Sequence, residues 1–321
     1  MEIGSPPPAI RPIEGEFIVW KPLAVNPENE PESADFNDLE VADVIMKIDG
    51  EPIDQIVAYR RQFIGASNDP ALMREIAFAL LEGPAGPVEL DVRRNGEKIV
   101  IAARRVEYPH VDHLSMRRHD RDGEAFQLLR DDVAYVKASG LEEKDVPRLI
   151  QQALEATGLI VDLRGYPKSF LIYALGQHLV SEPTEFARIS MPTLQRPGEF
   201  QWSDPLELTP KAPYYDKPIA ILVDEMTQSQ AEYTAMAYRA NPNAIVIGSQ
   251  TAGADGNVSR ISLPGGSRTA ISGIGIFYPD KTPTQRIGIV PDIVVKPTIC
   301  GIRDGRDEVL DTAIEHILRY K

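Results

Sequence analysis

Cysteine is nearly absent. The 321-residue chain has one, Cys300, which excludes an internal disulfide and any zinc site built from cysteines. Basic residues are also in short supply, with 34 Lys and Arg against 48 Asp and Glu and a formal net charge of −14. A surface this acidic repels phosphate backbones, which argues against general nucleic-acid binding. No apolar run approaches the length of about 18 residues that a membrane span needs. The N-terminal residues Met1 to Pro8 contain no basic stretch followed by an apolar one, so no signal peptide is read there. Clustered His, Asp and Glu ligands and a phosphate-cradling glycine loop are both missing from the sequence pattern, and neither a metal nor another cofactor is expected.

What remains is ordinary globular composition, 43% hydrophobic and 26% charged, at a length that suggests two domains by the prior of roughly 150 residues each. Residues 1–15 carry four prolines by position 12 and read as a tail. From Glu16 the chain reads as strand, loop, strand, helix, hairpin. Val41 to Gly50 alternates and ends in an Asp-Gly turn, Asn68-Asp69-Pro70 caps a helix running to Leu81, and Asn95-Gly96 joins two alternating segments. This is a small α+β domain at 16–106. A polar stretch at 107–130 reads as a linker. The second domain, 131–321, alternates buried strands (133–136, 158–164, 218–223, 244–248) with helices (142–156, 170–179, 229–239, 305–320), the pattern of an α/β layer structure with a largely parallel sheet. Residues 181–216 form a long polar excursion of the kind that serves binding or acts as a lid.

In such sheets functional groups gather where strands end and helices begin. Two junctions qualify. Asp162-Leu163-Arg164-Gly165-Tyr166-Pro167 empties a strand into a glycine turn, whose backbone N–H groups can hold an oxyanion but which also reads as a plain connection. Thr227-Gln228-Ser229-Gln230-Ala231-Glu232 puts a serine at a helix start, beside the positive end of the helix dipole, where a nucleophile is favoured. The same spacing, Thr227 with Gln230 and Ser229 with Glu232, fits a capping box, so cap and nucleophile both remain open on residue type alone.

The ordered set narrows the choice. Strand-Asp-Leu-Arg-Gly, then strand-Thr-x-Ser-x-x-Glu-helix, then Gly248-x-x-Thr251-Ala252-Gly253, then Gly288-Ile289-Val290-Pro291-Asp292 resembles the tail-specific, or C-terminal-processing, serine protease family, which includes the tricorn core proteases. Residues Ala42 to Gly50 are similar to the stretch of a PDZ domain that precedes this protease core, and the two similarities together cover about 14–300. The resemblance implies a ClpP/crotonase-like α/β fold for 131–321 and a PDZ-like domain at 16–106. It implies a serine-type peptidase acting on proteins or peptides, with Ser229 as nucleophile and the N–H groups of Gly165, Tyr166 and Gln230 as oxyanion hole. The family is usually extracytoplasmic, but no export signal is read in this sequence, and the compartment stays open.

The sequence departs from the family at several positions. Ala254 stands where the serine-lysine branch carries its lysine. Gln285 stands where the tricorn-like branch carries the glutamate of its serine-histidine-glutamate triad, and an amide can orient a partner but cannot stabilise a protonated histidine by charge. Lys168-Ser169 replaces a common glycine pair. The branch's histidine comes from a region before the PDZ domain, so the resemblance implies a base upstream of residue 1. Of the five histidines, His110, His113 and His119 fall in the polar stretch and His178 and His316 in expected helices. All five read as surface residues, with His113 the outside candidate for a base. Two other readings stand beside the peptidase: a non-catalytic binding protein made of a PDZ module on an inactive core, and a crotonase-type lyase acting on acyl-thioesters. The PDZ-like segment and the Thr-x-Ser-x-x-Glu motif argue against the lyase.

Overall fold

The computed structural model describes residues 3–5, 9–21, 38–107 and 117–319. Two compact units emerge, one of residues 1–118 with 296–308 and one of residues 119–295 with 309–321.

In the first unit the main sheet is antiparallel throughout, in the order Ala9–Ile13, Glu16–Lys21, Val44–Ile48, Gly86–Arg94, Glu97–Glu107, Ile3–Ser5, Gly83–Pro84. Asn95-Gly96 makes the expected hairpin, with both residues at positive φ. The expected cap is present too, since the Asn68 side chain accepts the Ala71 N–H at 3.0 Å and opens the helix Asp69–Ala79. The segment expected as a proline-rich tail differs: it holds two strands, Ile3–Ser5 and Ala9–Ile13. Ala9–Ile13 lies at the sheet edge, where the missing N–H of Pro12 breaks no ladder. Residues 296–308 group with this unit rather than with the second domain, because Ile302 packs against Ile13, Ile18, Ala42 and Val44.

The second unit is built on a six-stranded sheet in the order Ile293–Val294, Ala244–Gly248, Ile219–Val223, Leu159–Asp162, Ala134–Lys137, Phe126–Leu128. Every pair is parallel except the last. The central strands are unbroken apolar runs because both of their faces are covered. Val161, Ile221 and Val223 face a core shared with the helices Val146–Glu155, Leu171–Leu179 and Gln230–Arg239. Ile160, Leu222 and Ile247 face the helix Glu308–Leu318. In Val146–Glu155 the buried positions Val146, Leu149, Ile150 and Ala153 trace one helical stripe, with proline in the first turn.

Two expectations are corrected in this unit. The excursion at 181–216 contains three strands: Thr184–Pro192 pairs with Phe200–Trp202 and Leu206–Leu208, and also with Gly275–Phe277. The stretch expected as linker contains the edge strand Phe126–Leu128, and its residues 108–116 lie outside the described ones.

Register matters most for the site. Asp162 pairs with Leu222, Leu222 with Ile247 and Val223 with Gly248, so three parallel strands end level. Their following turns, 163–169, 224–229 and 249–254, therefore leave the same edge of the sheet. Ile221, fully buried at its centre, holds that register by packing. Ile221→Ala should cost about 2–5 kcal/mol in urea unfolding; a loss below about 0.5 kcal/mol would show that the strand is not part of a tightly packed core.

Candidate active site

The Asp-Leu-Arg turn is anchored from below. Arg164 donates its Nε to Asp162 Oδ1 at 3.0 Å and its Nη2 to Oδ2 at 2.7 Å, and its own N–H donates to Oδ1 at 2.9 Å. The Tyr135 hydroxyl donates to Asp162 Oδ2 at 2.9 Å. Burial, then the Asp162 charge, pushes the Tyr135 phenol far above its ordinary value. This bidentate pair is wholly buried, and it fixes the backbone as it enters Gly165. A side chain at Gly165 would collide with the Asp120 carboxylate and the Ser139 Cβ, which explains the glycine. Tyr166 beside it is exposed.

Ser229 opens the helix Gln230–Arg239 with φ 53° and ψ −118°. A positive φ at a non-glycine residue between strand and helix is a strained backbone state that surrounding structure must hold. The hold is visible on both flanks. Thr227 Oγ1 donates to the Leu163 carbonyl at 2.9 Å, and Gln230 Nε2 donates to the Ser169 carbonyl at 2.5 Å. The serine turn is thus tied at two points to the segment that contains Gly165 and Tyr166.

Behind the serine lies Glu232, 1% exposed. Its Oε2 accepts the Ser229 N–H at 3.2 Å and the Ala254 N–H at 2.9 Å. Its Oε1 accepts the Gly253 N–H at 2.7 Å and the Thr251 hydroxyl. Burial pushes this carboxyl above its ordinary range, and the four donors pull it back. Gly253 has φ +63°, and a side chain there would meet the Arg286 backbone at 2.8 Å, so only glycine fits this turn.

The fold and the ordered strand-end motifs point one way, and the comparison with family models decides it: the model for peptidase family S41 matches residues 132–295, just over half of the chain. The chain belongs to peptidase family S41. It is a serine-type peptidase. Solved structures similar to this S41 chain include mature CPAF, with TM-score 0.76 and 16% identity over 100% of this chain and 84% of that one. CPAF complexed with lactacystin gives 0.72 and 16% over 100% and 83%. A putative peptidase from Parabacteroides merdae gives 0.55 and 23% over 62% and 66%. Identities this low speak to the fold alone. No curated protein matches the chain significantly.

Several residues of this S41 chain sit otherwise than the sequence suggested. Gln285 Nε2 donates to the carbonyls of Asp255 (2.8 Å) and Ile274 (3.0 Å), so its amide holds the 253–256 turn. Lys168 pairs with Glu142 at 2.6 Å on the exposed side. His119 is buried, not on the surface: its Nδ1 lies 2.7 Å from Asp224 Oδ2 and its N–H donates to the Arg164 carbonyl at 2.8 Å. His178 is buried as well, with Nδ1 3.0 Å from the Pro213 carbonyl. His316 is half-buried on the helix Glu308–Leu318, where burial and Arg319 hold its pKa down. His110 and His113 lie outside the described residues. Among the described residues His119, Asp224 and Glu225 each offer a ligand-type atom within 4.8 Å of the others. The separation of 2.7 Å between His119 and Asp224 is that of a hydrogen bond.

Sequence reasoning passed over Asp255. It is 6% exposed, its Oδ1 accepts the Gly256 N–H at 2.7 Å, and its Oδ2 has no hydrogen-bond partner among the described residues. Burial pushes its carboxyl up to about 7, the Glu232 charge adds to the rise, and the Gly256 N–H opposes it. Folding therefore disfavours the ionised form. The penalty is absent below the ordinary 3.8, grows between 3.8 and about 7, and is full above that. Asp255→Asn keeps an acceptor for Gly256 and removes the charge. It should raise stability at pH 8 by about 2–4 kcal/mol and leave it nearly unchanged at pH 4. Urea unfolding at the two pH values measures this, and an equal effect at both would contradict the buried ionisable carboxyl.

Proposed function

We propose that this peptidase cleaves peptide bonds through Ser229, with the N–H groups of Gly165, Tyr166 and Gln230 receiving the oxyanion. The observation that carries the reading is the strained φ of 53° at Ser229, at a helix N-terminus whose flanking side chains bond to the Leu163–Ser169 segment. Ser229 and Glu232 do form the capping box, but a plain cap has no need of a disfavoured backbone, whereas a nucleophile on a sharp strand-to-helix turn does. The helix N-terminus adds a field that favours the negative charge developing on the substrate oxygen. The lysine position is Ala254 and the Gln285 amide is spent on two backbone carbonyls, so neither supplies a base.

The first unit supports a second role, in substrate capture. A cavity of about 460 Å³ in this unit is lined by Phe17, Val44, Met46, Ile53, Val57 and Met73. It runs between residues of the strands Glu16–Lys21 and Val44–Ile48 and the helix Ile53–Arg60, an apolar groove that suits the side chains of an unfolded substrate. On its own this groove would suit the non-catalytic reading.

Hydrolysis of a fluorogenic unfolded protein separates the two. The wild-type chain should cleave it, and Ser229→Ala should lower kcat/KM by about 10³-fold or more while binding persists. Equal cleavage by both proteins would remove Ser229 from the mechanism. Binding without cleavage by either would favour the non-catalytic protein.

A further inference from the structure

Gly165 is buried, and among the described residues its N–H finds no acceptor. A buried backbone donor without a partner is rare, and on a turn tied to that of Ser229 it calls for a ligand atom. The peptide unit that carries it is aimed from behind. The Arg164–Gly165 bond is trans, so its N–H points opposite to the Arg164 carbonyl. That carbonyl accepts the His119 N–H at 2.8 Å. Whatever holds His119 in place therefore also sets the direction of the Gly165 N–H.

His119 is held by its own side chain. Its Nδ1 lies 2.7 Å from Asp224 Oδ2, and since a carboxylate only accepts, Nδ1 is the nitrogen that carries the proton. The Glu225 carboxylate stands farther off, at 3.8 Å from the same nitrogen. Asp224 is fixed in turn: its Oδ1 accepts the Met226 N–H at 2.8 Å, and its own N–H donates to Thr227 Oγ1 at 3.1 Å. Thr227 Oγ1 donates to the Leu163 carbonyl. The links close a circuit from the Leu163 carbonyl through Thr227, Asp224 and His119 to the Arg164 carbonyl. The His119 and Asp224 side chains are 4% and 2% exposed, and a hydrogen bond so shielded from water is stiffer than a surface one. The next residue closes the far side of the turn, where Asp120 Oδ2 accepts the Ser139 hydroxyl and would meet a Cβ at position 165. Residues 119 and 120 thus cup the Gly165 peptide.

We propose that His119 is a positioning residue of the oxyanion hole: anchored on Asp224, it holds its backbone N–H on the Arg164 carbonyl and so aims the Gly165 N–H at the substrate oxygen. This rests on the reading of Ser229 as nucleophile and of the Gly165 N–H as an oxyanion donor. His119 acts through the backbone and takes no proton from Ser229. Because Thr227 and His119 meet at Asp224, the same carboxylate sets both the start of the serine turn and the plane of the oxyanion donor. With the Nδ1 bond gone, the His119 backbone is free to shift and the Arg164–Gly165 plane turns with it. The N–H then leaves the range of about 2.7–3.1 Å in which a donor stabilises the oxyanion.

The test uses the full chain and reads two things: kcat and KM on the fluorogenic unfolded protein, and the inhibition constant of a peptide aldehyde, whose oxygen enters the hole once Ser229 has added to it. His119→Gln stays polar but carries its amide one carbon farther out, at the place of Nε2. It should lower kcat by about 10–100-fold with KM within about twofold, and weaken the aldehyde by the same factor. His119→Asn sets an amide N–H at the place of Nδ1 and should recover both quantities to within about fivefold of wild type. Circular dichroism checks the fold of each variant. Where His119→Gln does not fold, Asp224→Asn, which keeps an oxygen for the Met226 N–H and turns an amide toward Nδ1, should show the same split. Equal kcat in wild type and His119→Gln would overturn the proposal and leave the serine reading standing. So would a loss shared by the Gln and Asn variants, or one that leaves the aldehyde constant untouched, since either marks a merely structural residue. Cleavage that persists unchanged in Ser229→Ala would instead remove the serine reading itself. A wild type that neither cleaves nor binds the aldehyde more tightly than Ser229→Ala would remove both.

Discussion

The site depends on one buried carboxylate. Glu232 gathers the N–H of Ser229 from one strand-end turn and the N–H groups of Gly253 and Ala254, with the Thr251 hydroxyl, from another. Taking a charge out of water is expensive, and here four donors offset the cost. What the chain gains is a cross-link between two turns that level parallel strands deliver to the same sheet edge. Without such a brace, the positive φ at Ser229 would relax toward an ordinary helix start. The Thr251 hydroxyl extends the brace, since Oγ1 also accepts the Ile289 N–H at 2.7 Å, drawing in the segment of the Gly-Ile-Val-Pro-Asp motif.

The motifs read in the sequence turn out to be mostly bracing. Asp-Leu-Arg is legible as a motif because its acid and base pair with each other beneath the turn rather than facing a substrate. Asp292 of the last motif accepts the Val246 N–H at 2.8 Å and pairs with Arg239. Residue types at strand ends were thus enough to put Ser229 at a helix start and Gly165 in the turn after a strand. Pattern failed where burial carries the meaning. Arg117-Arg118-His119-Asp120-Arg121 reads as a solvated charge run, yet His119 is enclosed because its partner, Asp224, is more than a hundred residues away. Asp255 lies among small residues in Ala254-Asp255-Gly256, where it looks like a surface turn, and only the packing of 253–256 under Gln285 and Ile274 buries it. In 181–216, scattered prolines and charges hid the strand Thr184–Pro192, which pairs with the nearby Phe200–Trp202 and Leu206–Leu208 as well as the remote Gly275–Phe277.

Asp255 weighs on the stability of the fold. An ionised carboxyl in this position lowers the stability of the fold above about pH 7, and among the described residues the Gly256 N–H is what opposes the rise. The same reasoning separates it from Glu232, which is equally buried but fully satisfied and so belongs to the architecture.

The structure of the chain with a phosphonate covalently bound at Ser229 tests this account most directly. The account predicts a phosphorus bond to Ser229 Oγ, with the phosphonyl oxygen accepting N–H groups from Gly165 or Tyr166 and from Gln230 at about 2.7–3.1 Å, and with the Glu232 brace intact. An adduct whose phosphonyl oxygen points away from both turns, or one that forms on another residue, would contradict it.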